Sequence, residues 1–165
     1  MRYRLRPATE ADVRLIAPLL RDEDRREVEI ASGHSPVISL PRSLGIPGAE
    51  TLYAEEIGTG RPLIICGTAP FIPALVGVAW MLATPAALAH RKALVKDARG
   101  QIERWHEQYP LLFNLVWEGN PTHIAWLRAM GFSLIRRVEL NNHNFIEFAR
   151  HSPCVPQTPP DKGST

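Results

Sequence analysis

Cysteine is almost absent from this chain. Its two copies, Cys66 in an apolar run and Cys154 in a Pro-rich segment, give neither a disulfide framework nor metal-site spacing, so a reducing compartment is expected. An excess of one charge sign is missing too. The 19 Lys and Arg are balanced by 17 Asp and Glu mixed along the sequence, and a net charge of +2 predicts no nucleic-acid surface. Long apolar runs are also lacking. The longest, about Pro62 to Ala89, is broken by Gly67, Pro70, Pro73, Gly77 and Pro85, and so falls short of the roughly 20 continuous residues of a membrane helix. The opening MRYRLRPATEADV has no apolar centre of a secretory signal, so a soluble protein that stays where it is made is expected.

What is present suffices for one core. The chain has 165 residues, 45% of them hydrophobic, which predicts a single domain over residues 1–150. The Pro-rich, apolar-poor segment 151–165 reads as a disordered tail. Tyr3 to Arg6 alternates like an outer strand, and Thr9 with Asp12 forms a capping-box start to a helix whose stripe is Val13, Ile16 and Leu20. Pro18 predicts a break near Ala17. A second helix, Asp24 to Ser32, ends at Gly33, and its Arg25, Arg26, Glu27 and Glu29 read as a solvated face, with Glu27 kept as a candidate base. Three prolines make 34–48 mostly irregular, with one helical turn at Ser39 to Leu44. Thr51–Ile57 and Pro62–Thr68 read as a hairpin, and Leu75–Leu82 as a central strand after a turn at Pro70 and Pro73. Thr84 is expected to cap the next helix with its side chain and Pro85 to be its first residue. Leu94, Ala98, Ile102 and Trp105 form the buried stripe, and Lys92, Lys96 and Arg99 line another face.

The segment 112–132, LFNLVWEGNPTHIAWLRAMGF, carries the most information. Leu112 to Trp117 is a nearly continuous apolar strand, Asn120 is an N-cap, Pro121 occupies the first helical position, and Gly131 stops the helix in a left-handed conformation. Ile124, Leu127 and Met130/Phe132 share the face that docks on the sheet. Ser133–Val138 and Phe145–Ala149 then close as a strand pair through LNNHN.

This unit resembles the last strand and helix of the acetyl-coenzyme A-binding GNAT superfamily, in which an Asn opens the helix and a Gly-Phe pair closes it. The order of elements fits the same resemblance. It implies an α/β fold: a GNAT-like, mixed, mostly antiparallel twisted sheet flanked by helices. Active members of the superfamily carry a glycine-rich pyrophosphate loop after the fourth strand, and a Tyr that protonates the leaving thiolate. This chain has ATPAALAH at residues 83–90, without glycine, and Leu127 at the Tyr position. By that comparison no cofactor is expected and no catalytic residue is assigned, with acetyl-CoA the cofactor if the chain is an active N-acetyltransferase.

The string WEGNPTHIAWLRAMGF, with Trp117, Gly119, Asn120, His123, Ile124, Leu127 and Gly131, also resembles the podovirus internal virion protein A family, small phage proteins described as acetyltransferase-like. That resemblance implies a noncatalytic phage protein of the host cytoplasm that contacts other phage structural or assembly proteins as the virion core forms. The alternatives are an active acetyl-CoA-dependent N-acetyltransferase and a phage effector that binds a host protein. Trp80, Thr84, Trp117, Asn120 and His123 are the candidate cleft or ligand contacts. His123 is expected to be a structural histidine bonded to a nearby loop, with proton transfer as the alternative. Trp126 is expected to be partly exposed and to contact a partner.

Overall fold

The computed structural model describes residues 2–153. Strand β1 (Tyr3–Pro7) leads into helix α1 (Glu10–Ile16), which opens on the Thr9/Asp12 capping box. Pro18 lacks the N–H that would continue the helix, and the chain tightens into a 3₁₀ turn, Ala17–Leu19. Helix α2 (Asp22–Ser32) ends on Gly33 at φ +73°.

Helix α3 (Pro36–Ser43) replaces the mostly irregular segment expected there. Pro36 sits in its first turn, where the missing N–H costs nothing, and Leu40 is buried against α1 and the sheet. Strands β2 (Glu50–Glu56) and β3 (Pro62–Ile72) form the expected hairpin. β3 runs through Pro70, where a turn was expected, because the register shifts between Pro70 and Ile72 against β4 (Val76–Ala83).

A 3₁₀ segment, Pro85–His90, precedes helix α4 (Arg91–His106), so regular helix begins later than Pro85. Strand β5 (Leu111–Trp117), helix α5 (Pro121–Ala129) and strands β6 (Ser133–Leu140) and β7 (His143–His151) complete the chain. Asn141 and Asn142, at φ +50° and +62°, make the β6–β7 turn. β7 extends to His151, and Ser152 N–H bonds Pro110 O, so ordered structure passes the expected boundary at residue 150. The remainder of the expected tail lies outside the described residues.

The sheet order is β1-β2-β3-β4-β5-β7-β6, antiparallel except where β4 meets β5. Val13, Ile16, Leu20, Leu40, Tyr53 and Leu82 fill the core under α1–α3. Leu94, Ile102, Trp105, Leu127, Met130 and Phe148 fill the core on the other face, under α4 and α5. Among the described residues, no helix is long and apolar enough to cross a membrane.

Candidate functional site

β4 and β5 run parallel and pair only through Val76–Val78 with Leu111–Phe113. Beyond that point they diverge. At the apex Asn114 Nδ2 donates to Ala79 O at 3.0 Å, so a side-chain amide replaces the next rung of the ladder. Further out, Ala83 N–H donates to Asp24 Oδ2 at 2.8 Å and Trp117 N–H to Glu27 Oε2 at 3.0 Å. Carboxylates of α2 thus cap the open ends of both strands. Backbone groups in a sheet alternate sides, so Met81, between Ala79 and Ala83, aims its N–H and C=O into the same gap. Among the described residues nothing pairs with them.

The α2 side of the gap is a buried polar network. Asn120, 0% exposed, is its hub: Nδ2 donates to Asp24 Oδ1 at 2.7 Å and Glu27 Oε2 at 3.2 Å, while Oδ1 accepts from Arg21 Nη2 at 3.1 Å and His123 N–H at 3.3 Å. Asn120 therefore caps α5 and also ties that helix to α2. Burial pushes the Asp24 carboxyl above its usual range, opposed by His123, by Arg21 and by its hydrogen bonds from Asn120 and Ala83. His123, 5% exposed, places Nδ1 3.7 Å from Glu27 Oε1, and that nitrogen has no hydrogen-bond partner.

Two chambers meet at the gap. One, about 50 Å³, lies under α4 and α5 among residues such as Ile64, Cys66, Met81, Leu94 and Leu127. The other, about 270 Å³, lies under α2 and α3, with Val28, Leu40, Trp80, Leu115 and Phe145 in its wall and Glu27 its only acidic side chain. Ala79, Trp80, Met81, His123 and Phe148 line both. These shared residues make the splay the wall common to both chambers, the passage from one face of the sheet towards the other, and His123 is one of them. An alanine Cβ at Gly67 would overlap Glu50 O and crowd the Trp80 indole, so glycine there lets the ring lie flat on β3.

The β4–α4 junction is differently built. Thr84 N–H bonds Leu63 O at 2.9 Å, Ala87 N–H bonds Thr84 O at 3.1 Å, and Pro85 has no N–H. The Thr84 and Ala87 amides are thus spent within the protein. Arg91, Lys92, Lys96 and Arg99 instead line a groove of about 410 Å³ between α4 and α5, with the Arg99 guanidinium donating to Ala129 O at 2.9 and 2.6 Å.

Measured against the sequence reading, Trp80 and His123 line the passage, and Glu27 closes its α2 side. Asn120 stands behind that wall and Trp117 contributes its backbone N–H, but neither side chain lines a chamber. The Trp117 indole packs over Gly119, where a Cβ would overlap the ring, and Arg26 lies 5.6 Å from its centroid.

Several expectations are corrected. The Thr84 hydroxyl does not cap a helix; it donates to Pro62 O at 2.8 Å, because the chain leaves β4 with that side chain facing β3. Trp126 is 7% exposed and belongs to the core, since the buried face of α5 spans His123, Trp126, Leu127 and Met130. The His123 ring makes no loop hydrogen bond at Nδ1. Of the residues read as a solvated face, Glu27 is buried, together with its neighbours Asp24 and Arg21. Sequence reasoning passed over Arg21, Asp24, Met81 and Asn114; the spacing of Arg21, Asp24, Glu27 and Val28 on one helical face was the available signal.

No family model and no curated protein sequence matches the chain. Solved structures do match. A GCN5-related N-acetyltransferase from Kribbella flavida aligns with 22% identity over 90% of this chain and 97% of its own, at a TM-score of 0.67. A GNAT superfamily phosphinothricin acetyltransferase from Sinorhizobium meliloti, solved with acetyl-CoA, aligns at 18% identity over 92% and 89%, TM-score 0.64. Spermidine N-acetyltransferase from Vibrio cholerae, solved with CoA and spermine, aligns at 12% identity over 91% and 95%, TM-score 0.61. With its splayed fourth and fifth strands and its Asn-opened final helix, the chain has the fold of the GNAT acetyltransferases.

Proposed function

We propose that the protein is an acetyl-CoA-dependent N-acetyltransferase acting on small amines with apolar bodies. The observation that carries this is the open Met81 main chain in the middle of the β4–β5 splay, between two chambers. An extended arm bearing amide groups, as in coenzyme A, would add to β4 there as a short strand, through Met81 N–H and C=O. When bound, the thioester supplies an activated acyl group. The chain's own residues hold and desolvate it: Ala79, Trp80, Met81 and Phe148 exclude water, and the chamber under α2 and α3 receives the amine. That chamber's wall carries one acidic side chain, Glu27, which suits one amine on an apolar body better than a polyamine.

The phosphates of the donor would rest on side-chain cations of α4, since Thr84 and Ala87 amides are already bonded. The same observation favours a second reading, a GNAT-fold scaffold that binds no coenzyme A; the contacts with phage assembly proteins in the host cytoplasm that would go with it rest on the sequence resemblance alone. Calorimetric titration with acetyl-CoA separates them. Saturable one-to-one binding supports the transferase; no heat at millimolar acetyl-CoA contradicts it and leaves the scaffold.

A further inference from the structure

We infer that His123 is the general base of this site and Glu27 its positioning residue, an assignment that rests on the transferase reading above. The ring lines both chambers, so it reaches the point where an amine from the α2–α3 side meets a thioester in the splay. Its Nδ1 faces Glu27 Oε1 at 3.7 Å, buried and without a hydrogen bond. Glu27 is held for this task. Its Oε2 accepts from Trp117 N–H and Asn120 Nδ2, which leaves Oε1 to the histidine. With the proton on Nδ1 directed at Glu27, the lone pair sits on Nε2, the nitrogen free to act in the passage.

The step balances without an outside reagent beyond the acyl-CoA and the amine. The amine nitrogen bonds the thioester carbonyl carbon, the carbon–sulfur bond breaks, and the nitrogen's proton passes to His123 Nε2. The same proton then returns from the imidazolium to the departing thiolate, a return that makes good the absence of a hydroxyl at Leu127. Glu27 and Asp24 from α2 stabilise the intervening imidazolium, and Arg21, bonded to Asn120, opposes it. From the other elements packed around the passage, the ionisable side chains among the described residues are Tyr3 of β1, Cys66 of β3 and Asp97 of α4. Tyr3 donates a hydrogen bond to Asp97, and burial pushes the Cys66 thiol up to about 12.

The test uses the full chain and begins without substrate. Nitrogen-15 NMR of the His123 ring at neutral pH should show the proton on Nδ1, and Glu27→Gln, whose amide would donate to Nδ1, should move it to Nε2. Acetyl-CoA affinity, read by calorimetry, should stay within about threefold in Glu27→Gln and His123→Asn. With benzylamine, phenethylamine and hexylamine as acceptors, turnover should fall by about 10²–10⁴ in both variants. A wild-type protein that binds acetyl-CoA but carries its proton on Nε2, or a His123→Asn variant that keeps more than a tenth of the turnover, overturns the assignment alone. Failure of the wild type to bind acetyl-CoA overturns the transferase reading beneath it.

Discussion

Replacing Asn120 tests the buried network most severely. The residue is fully buried, and its amide reaches two carboxylates, one guanidinium and the first turn of α5. Asn120→Ala removes a helix cap, a loss of about 1 kcal/mol. It also strips Asp24 and Glu27 of a shared donor and Arg21 of an acceptor, and hydrogen bonds to charged groups contribute about 1.5–3 kcal/mol each. These terms overlap, because the orphaned groups can approach one another or admit water, so the sum is an upper bound and about 4 kcal/mol is expected. That is a large share of the roughly 5–15 kcal/mol of an ordinary domain. Urea unfolding followed by tryptophan fluorescence reads it directly as a lower midpoint with an unchanged slope. Asn120→Asp is the sharper companion. It sets a third carboxylate against two buried ones, so it should be at least as damaging at neutral pH and should recover partly as the pH is lowered. A loss below about 1.5 kcal/mol in Asn120→Ala, or an Asn120→Asp protein as stable as the wild type, would refute the view of Asn120 as the hub that joins α2 to α5.

Two further outcomes follow from local geometry. Arg6 grips Asp12 through two hydrogen bonds at 2.6 and 2.8 Å, and that guanidinium, together with the Thr9 backbone and hydroxyl, holds the Asp12 carboxyl down at about 2. A carboxyl depressed in the folded state stabilises it fully above the unfolded value and loses that stabilisation as pH falls towards the folded one. Asp12→Asn should therefore lose on the order of 1–2 kcal/mol at pH 7 and almost nothing near pH 2, and an equal loss at both in urea titrations would count against it. Gly119→Ala places a methyl inside the Trp117 indole; overpacking of this kind costs about 1–3 kcal/mol, with a shift in tryptophan emission, whereas an unchanged midpoint would show that the ring moves freely.

Much of α5 was legible because its signals act within a few residues: Asn120 caps it, Pro121 starts it, and Gly131, at φ +89°, stops it. The break at Pro18 and the Asn141-Asn142 turn are local in the same sense. What surrounds the passage is not local. Asp24 and Glu27 belong to a helix segment, DEDRREVE, whose composition matches any solvated face, and only the distance between β4 and β5 makes their burial necessary. The splay itself has no sequence signature beyond Asn114, a polar residue within an apolar strand, which spans the apex to Ala79. Trp126 misled because its helix buries a wide arc instead of a narrow stripe. Pro70 misled because a bulge near the end of β3 accepts a residue without an N–H.

The most direct measurement follows backbone amide cross-peaks while acetyl-CoA is added to the 165-residue chain. If the open strand edge receives the donor's arm, the Met81 amide shifts with the largest group, together with Ala79 and His123, and the change saturates. Perturbations confined to Arg91, Lys92, Lys96 and Arg99, or none at millimolar ligand, would contradict a transferase built around the Met81 main chain.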